Sequence, residues 1–102
     1  MDLGFQLKRA MKTGDVKIGF RSVEKSLLNG RSKLIIIADN TPERLKHRVI
    51  HLAKVGKVPV YQFKGGSLDL GEVVGRPHFV SVISVDDPGD SSILEIAKEV
   101  TT

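Results

Sequence analysis

Residues 33–38, with the sequence KLIIIA, limit the possible folds of this chain more than any other segment does. Their apolar residues follow one another without polar residues between them, as in a strand that is buried on both faces. The uninterrupted apolar run has five residues, whereas a membrane-spanning helix needs about 18 or more. A strand covered on both faces needs helices on both sides of its sheet. The segment therefore predicts the central strand of a layered α/β fold.

Segments with helical spacing alternate with short β-rich runs along the rest of the chain. We predict five helices: one that Gly14 ends, one between Gly19 and Asn29, one that starts at Pro42 and stops at Gly56, one over residues 67–74, and one that follows Ser92. The β-rich runs predict strands over residues 16–19, 33–38, 58–63 and 79–85. The expected fold is a three-layer α/β/α sandwich with a central four-stranded sheet, and we expect residues 1–102 to form this single domain.

Local signals refine the ends of these elements. Asn40 or Thr41 is expected to cap the third helix. Pro59 lacks an N–H group, so its strand is expected to start there or to lie at an edge of the sheet. Ser92 and Glu95 have the spacing of a capping box at the start of the last helix.

The composition argues against a secreted or membrane protein. The chain contains no cysteine, which excludes both a disulfide framework and a thiolate metal site. The first residues lack the basic and then apolar pattern of a secretory signal. We therefore expect a cytosolic protein without a membrane segment.

The charge is unevenly distributed along the chain. The net charge is +4 and the pI is about 9.6, in the range of nucleic-acid-binding domains. Residues 1–66 contain fourteen lysine and arginine residues against five acidic residues, whereas the segment from Asp86 to the end carries a balance of −4. A positive field concentrated on part of the surface favours a polyanionic partner.

No motif indicates catalysis or a bound cofactor. His47 and His51 lie four residues apart, but Arg48 follows His47 where the zinc motif has a glutamate, and the surrounding residues are basic. The glycines at 65, 66, 71 and 75 match neither the P-loop nor the dinucleotide-binding spacing. We expect no catalytic residue, no metal site and no cofactor.

The basic residues around the second helix form a more coherent pattern. Arg21 and Lys25 share one helical face, and the helix begins near Gly19, where free N–H groups can bind a phosphate oxygen. Asn40 ends the central strand with an amide that both donates and accepts hydrogen bonds. A helix start, a cap and a solvated face would explain these residues equally well.

Several ordered segments nevertheless resemble one family. They are residues 19–27 (GFRSVEKSL), 33–42 (KLIIIADNTP), 59–63 (PVYQF), 70–78 (LGEVVGRPH) and 88–91 (PGDS). Together they resemble the family of large-subunit ribosomal protein thirty of archaea and eukaryotes, the "e" type, within the kink-turn RNA-binding superfamily. The loop formed by Arg76, Pro77 and His78 is more similar to the archaeal form.

The resemblance implies a site as well as a fold. Proteins of this superfamily hold a sharply bent RNA internal loop with sheared G·A pairs. By position, Gly19, Arg21 and Lys25, with Phe20 and Ser22 between them, would face the bent groove. Asn40 would contact a base, and Arg44 and Lys46 would add charge. Arg76, Pro77 and His78 would pack on an extruded nucleotide.

The implied partners are a kink-turn in ribosomal RNA and other components of the large subunit, with the free protein a monomer in the cytoplasm. Relatives that bind guide RNA carry Asn-Glu where this chain has Arg21 and Ser22, which favours the ribosome over an RNA-modification particle. Two alternatives stay open: a kink-turn protein of another ribonucleoprotein particle, and a protein-interaction module that uses the strand at Pro59 or the acidic tail.

Overall fold

The computed structural model of the protein describes residues 3–75 and 79–99. Helices and strands alternate along this part of the chain. Their bounds, in chain order, are α1 (Leu3–Thr13), β1 (Asp15–Ile18), α2 (Phe20–Leu28), β2 (Leu34–Ala38), α3 (Glu43–Val55), β3 (Val60–Phe63), α4 (Ser67–Val73), β4 (Val82–Asp87) and a closing 3₁₀ helix (Ile93–Glu99). None of the helices in these ranges is long and apolar enough to span a membrane.

The four strands form one mixed sheet in the order β1-β4-β2-β3. β2 and β3 are parallel, with Ile36 opposite Tyr61, whereas β4 is antiparallel to both β1 and β2. As a result β1, β2 and β3 all run in the same direction and end at one edge of the sheet. We call this end of the sheet, where each of these strands leads into a helix, the carboxyl edge. It is distinct from the two lateral edges of the sheet, which β1 and β3 form.

The sheet separates two apolar cores, and β2 contributes to both. Leu34, Ile36 and Ala38 belong to the core under α1, α4 and the 3₁₀ helix, whereas Ile35 and Ile37 pack against α2 and α3. All five residues are buried. Each large side chain buried in this way contributes roughly 1.5–3 kcal/mol. The α/β/α sandwich and the central position of β2 are therefore confirmed.

Two strands start at least two residues later than predicted. β3 begins at Val60 rather than at residue 58, and it lies at an edge of the sheet directly after Pro59, so the edge prediction is confirmed. β4 begins at Val82 rather than at residue 79. Residues 80 and 81 serve the neighbouring elements instead: the Val80 N–H donates to Ser67 O at 3.0 Å, and Ser81 O accepts from the Ala38 N–H at 2.8 Å.

The predicted cap of α3 is wrong. Pro42 directly precedes the helix and no side chain caps it. Thr41 is buried, and its single hydroxyl proton is shared between the carbonyl oxygens of Ala38, at 2.8 Å, and Ser81, at 3.2 Å. The Asn40 side chain bonds to Ser67 at the start of α4. Both polar groups therefore satisfy backbone groups at the carboxyl edge instead of the first turn of α3.

The end of the chain also differs from the prediction. A 3₁₀ helix replaces the expected helix with its capping box. The Ser92 N–H donates to Gln6 Oε1 at 2.7 Å, and the Glu95 N–H donates to the Ser92 carbonyl oxygen at 3.0 Å. This backbone bond spans three residues, as in a 3₁₀ helix. The Ser92 hydroxyl has no hydrogen-bond partner among the described residues, so it does not act as a cap.

Candidate nucleic-acid interface

Three strand-to-helix junctions meet at the carboxyl edge. The Gly19 N–H donates to Val82 O at 3.0 Å, and the Asp39 N–H donates to Gly65 O at 2.9 Å. The first bond ties the end of β1 to the start of β4, and the second ties the end of β2 to the end of β3. The bond from the Ala38 N–H to Ser81 O joins the two pairs. Because β4 lies between β1 and β2, the junctions at Gly19 and Asn40 are about 10 Å apart, which is two interstrand spacings. The structure thus brings the two predicted segments to one edge of the sheet.

Gly19 adopts a backbone conformation that side chains rarely tolerate. Its φ is +99°, and a Cβ placed on it would meet no described atom within 4 Å. The position is therefore strained for any other residue and open toward solvent. The open space lets a ligand backbone approach the start of α2 closely, and the backbone conformation explains why glycine stands there.

The first turn of α2 has backbone N–H groups without a hydrogen-bond acceptor among the described residues. No side chain caps this helix of nine residues, and the first N–H of α2 with a backbone acceptor is that of Val23, which donates to Gly19 O at 3.0 Å. Within the described chain, the N–H groups of Phe20, Arg21 and Ser22 have no acceptor. Free N–H groups at the positive end of a helix favour an anion such as phosphate.

The side chains of this turn divide between the core and solvent. Phe20 is half-buried and packs against the core under α2 and α3. Arg21, Ser22 and Lys25 are exposed, and no described carboxylate lies within ion-pair distance of Arg21 or Lys25. Phe20 therefore anchors the turn, and the two cations remain available to a partner.

Asn40 is exposed but its side chain is fixed in place. Its Oδ1 accepts a hydrogen bond of 2.8 Å from the Ser67 N–H. This bond assigns the amide orientation, because only the oxygen can accept. The Nδ2 group is left as the donor toward a partner. A Cβ on Gly66 would stand 3.3 Å from Nδ2, so the lack of a side chain at Gly66 leaves room for the amide.

Arg44 and Lys46 lie in the first two turns of α3. Arg44 is exposed and forms no ion pair with a described carboxylate. Lys46 is half-buried, and its Nζ donates to Asp39 O at 3.4 Å. The charge of Lys46 is thus held beside the turn that carries Asn40.

The predicted residues Arg76, Pro77 and His78 lie outside the described residues. Phe79 follows them directly, and 69% of its surface is exposed. The next residue, Val80, bonds to Ser67 at the carboxyl edge. The sequence analysis placed Phe79 in a strand and missed it as a surface residue. An aromatic residue directly after a glycine- and proline-containing loop was the signal that could have identified it.

A polar concavity along α2 was also missed. It has a volume of about 270 Å³ and is lined by Lys17, Ser22, Lys25, Ser26, Asn29 and Arg31. Lys17 Nζ forms an ion pair with Asp15 Oδ1 at 3.0 Å. The remaining cations extend the positive surface from Arg21 along α2. The four-residue spacing of Lys17, Arg21 and Lys25 was visible in the sequence, but Arg31 belongs to the next loop.

The histidine pair forms no metal site within the described ranges. His47 Nε2 lies 3.4 Å from Glu43 Oε2, one turn earlier on α3, and both side chains are exposed. The described residues contain no group of three histidine or acidic residues that could hold a metal ion. His47 is therefore part of a solvated helix surface.

In this α/β/α sandwich, a cationic edge with unused N–H donors defines a protein that is suited to an anionic partner. Residues 1–95 match the family described as the Ribosomal protein L7Ae/L30e/S12e/Gadd45 family, and the chain belongs to that family.

Archaeal relatives support this assignment over nearly the whole chain. The large ribosomal subunit protein eL30 of Pyrobaculum calidifontis is 42% identical over 96% of this chain and 97% of its own length. The eL30 protein of Methanothermobacter thermautotrophicus is 41% identical over 94% and 98%, and that of Saccharolobus solfataricus is 40% identical over 92% and 87%. The resemblance found in the sequence is confirmed.

Proposed function

We propose that this protein is a structural component of the large ribosomal subunit and that it binds a kink-turn in ribosomal RNA without catalysing a reaction. On this proposal it works in the cytoplasm as part of the ribosome, and residues 1–102 form a single domain that is monomeric when free. The names and full-length similarity of the archaeal relatives support the ribosomal role. The observation that carries RNA binding is the uncapped start of α2 beside the fixed amide of Asn40.

Charge and shape recognition account for the binding. The major groove of regular A-form RNA is too narrow for side chains to enter, and a sharp bend opens it to a helix end. The N–H groups that follow Gly19 would then bind a phosphate, with Arg21 and Lys25 neutralising its neighbours. Ser22 is exposed in the same turn.

Base recognition would come from the adjacent junctions. Asn40 Nδ2 would donate to an acceptor on a base of the loop, while Arg44 and Lys46 would attract the nearby backbone. Arg76, Pro77 and His78 would pack on the extruded nucleotide. The exposed ring of Phe79 adds a surface on which a base can stack.

The test compares two RNAs that differ only in shape. One contains a kink-turn, and in the other the G·A pairs are replaced by Watson–Crick pairs. We expect strong preference for the kinked RNA, with an affinity that falls as salt rises. Equal binding to both RNAs would contradict kink-turn recognition and leave only general affinity for RNA.

The two alternatives predict different results. A kink-turn protein of another particle would pass the same test but would co-purify with an RNA other than large-subunit ribosomal RNA. A protein-interaction module would bind its partner with little salt dependence and would keep that binding in the Arg21→Ala variant. Arg21 and Ser22 stand where guide-RNA-binding relatives carry Asn-Glu, which favours the ribosomal particle.

A further inference from the structure

α1 presents a second cationic surface, on the opposite side of the sheet from α2. Phe5, Lys8, Arg9 and Lys12 have the spacing of a single helix face, and all four are exposed. We call them the α1 basic face. The other side of the helix is buried in the core through Leu7 and Ala10. α2 contributes to the other core, so the α1 basic face and the carboxyl-edge cations of α2 are separate surfaces.

The cations of the α1 basic face are not neutralised within the described chain. Neither Lys8 nor Lys12 forms an ion pair with a described carboxylate. Arg9 Nε donates to the backbone oxygen of Asp90 at 3.4 Å, which uses one of the five N–H donors of the guanidinium group. Three positive charges within two helical turns therefore face solvent, where they attract a polyanion.

The surface between these cations is concave and partly apolar. A depression of about 290 Å³ is lined by Phe5, Lys8, Arg9 and Lys12. A second depression, of about 370 Å³, is lined by Lys8, Met11, Lys12 and Val74. Phe5 as a residue is 57% exposed. Cations beside an accessible aromatic ring fit a nucleic acid strand whose phosphates are charged and whose base faces are free to stack.

We propose that the α1 basic face binds a second, single-stranded RNA segment, with Lys8, Arg9 and Lys12 against phosphates and Phe5 against one base. A duplex fits less well, because its bases stack on one another and offer no free face to Phe5. A lipid surface is disfavoured, because the apolar side of α1 is already buried against Leu70 and its neighbours in the core. The protein would thus hold two RNA segments, one on each side of the sheet.

This site does not depend on the kink-turn proposal, and its test keeps the two apart. The full-length protein, free and in an equimolar complex with kink-turn RNA, is titrated with a labelled oligouridylate of about ten nucleotides. A variant with Lys8→Gln, Arg9→Gln and Lys12→Gln is compared with a control carrying Lys33→Gln, Lys54→Gln and Lys57→Gln. The control removes the same charge from exposed lysines outside both proposed sites. Circular dichroism melting verifies that both variants fold.

We expect the α1 variant to bind the oligouridylate at least about tenfold more weakly than the control does. The slope of the logarithm of its affinity against the logarithm of the salt concentration should be smaller by about 2. Phe5→Ala should weaken single-strand binding by about fivefold or more and leave binding of a duplex unchanged. These losses should be the same in the presence and absence of kink-turn RNA, even if the protein fails to distinguish kinked from regular RNA.

Three outcomes would overturn the proposal. Equal losses of oligouridylate affinity in the α1 variant and the control would show that binding depends only on the net charge of the protein. An unchanged affinity of Phe5→Ala for the oligouridylate would show that no base stacks on Phe5, and the reason for preferring a single strand would be lost. Binding of polyglutamate of matched length as tight as that of the oligouridylate would identify the α1 basic face as a site for an acidic protein segment.

Discussion

The hydroxyl of Ser26 on α2 donates to Oδ2 of Asp86 on β4 at 2.7 Å, across sixty residues of sequence. The other carboxylate oxygen of Asp86 accepts from the Ser84 hydroxyl at 2.6 Å. Ser84 has only one proton to donate, so Ser32, whose hydroxyl lies 2.6 Å away, donates to Ser84. This buried chain of hydrogen bonds fixes α2, the helix that carries Arg21 and Lys25, against the sheet.

Removing the Ser26 hydroxyl should destabilise the fold. Ser26→Ala leaves one oxygen of the buried Asp86 carboxylate without its donor, and an unsatisfied buried polar group costs about 1–3 kcal/mol. Urea unfolding measures the loss. Ser92→Ala is the control, because Ser92 is exposed and its hydroxyl has no partner in the described chain; it should stay within about 0.5 kcal/mol. A similarly small effect for Ser26→Ala would show that solvent replaces the bond.

Arg21→Ala should weaken kink-turn RNA binding by about 1–3 kcal/mol. Arg21 is exposed beside the free N–H groups of α2 and has no ion pair to lose within the described residues. Its removal should therefore leave the free energy of unfolding unchanged. Isothermal titration calorimetry compares the wild type with Arg21→Ala and with the control Lys54→Ala. Both variants lose one positive charge, but only Arg21→Ala removes a residue of the candidate site. Equal affinities for both variants would remove Arg21 from the interface.

The fold was predictable where burial alone decides the structure. The run at 34–38 is apolar in every position, so its place at the centre of the sheet followed from its composition. The helix stripe around Val49 and Ala53 was likewise visible in the spacing, and both residues are buried. The strand at Pro59 was correctly assigned to an edge, because a residue without an N–H group cannot serve a central strand.

The errors arose where distant segments compete for polar groups. Asn40 and Thr41 have the residue types of a helix cap, yet their side chains serve Ser67, Ala38 and Ser81. Ser67, at the start of α4, and Ser81, directly before β4, are 27 and 40 residues from their partners, so the local sequence does not encode these two contacts. The Ser92 capping box failed for the same reason, since Gln6 of α1 binds the Ser92 N–H.

The candidate site was likewise predictable from local sequence only in part. The types of its cations and the uncapped helix start were recognisable from residues 19–25. The alignment of the two junctions at one edge required the antiparallel strand β4 between β1 and β2, and the sequence order does not reveal that insertion. The link between Asn40 and Ser67, twenty-seven residues apart, was equally hidden.

Gly19→Ala should weaken RNA binding as well as destabilise the fold. At a φ of +99° and a ψ of 152° alanine is strained by about 1–3 kcal/mol, and the new methyl group would project into the space proposed for a phosphate. Gly30→Ala is the matched control, because Gly30 has a φ of +67° and is equally open, but follows the far end of α2. Both variants should lose stability in thermal melts, and only Gly19→Ala should bind the kinked RNA more weakly. Equal RNA affinities would separate Gly19 from the interface.

Two substitutions at Asn40 should separate its structural role from its recognition role. Asn40→Asp keeps an oxygen that can accept from the Ser67 N–H, and a carboxylate near the start of a helix is favourable. Its free energy of unfolding should match that of the wild type within about 0.5 kcal/mol. Asn40→Ala removes the acceptor and should cost about 0.5–2 kcal/mol, as the loss of a helix cap does. Urea unfolding of the three proteins provides this comparison.

RNA binding should rank the same variants differently. Asn40→Asp loses the Nδ2 donor and places a negative charge beside the RNA, so it should bind the kinked RNA more weakly than Asn40→Ala, although it is the more stable variant. A lost donor alone should cost about 1–3 kcal/mol of binding free energy. If affinity instead followed stability, with Asn40→Asp binding as the wild type does, Asn40 would act only by holding α4, and base recognition at the carboxyl edge would have to come from other residues.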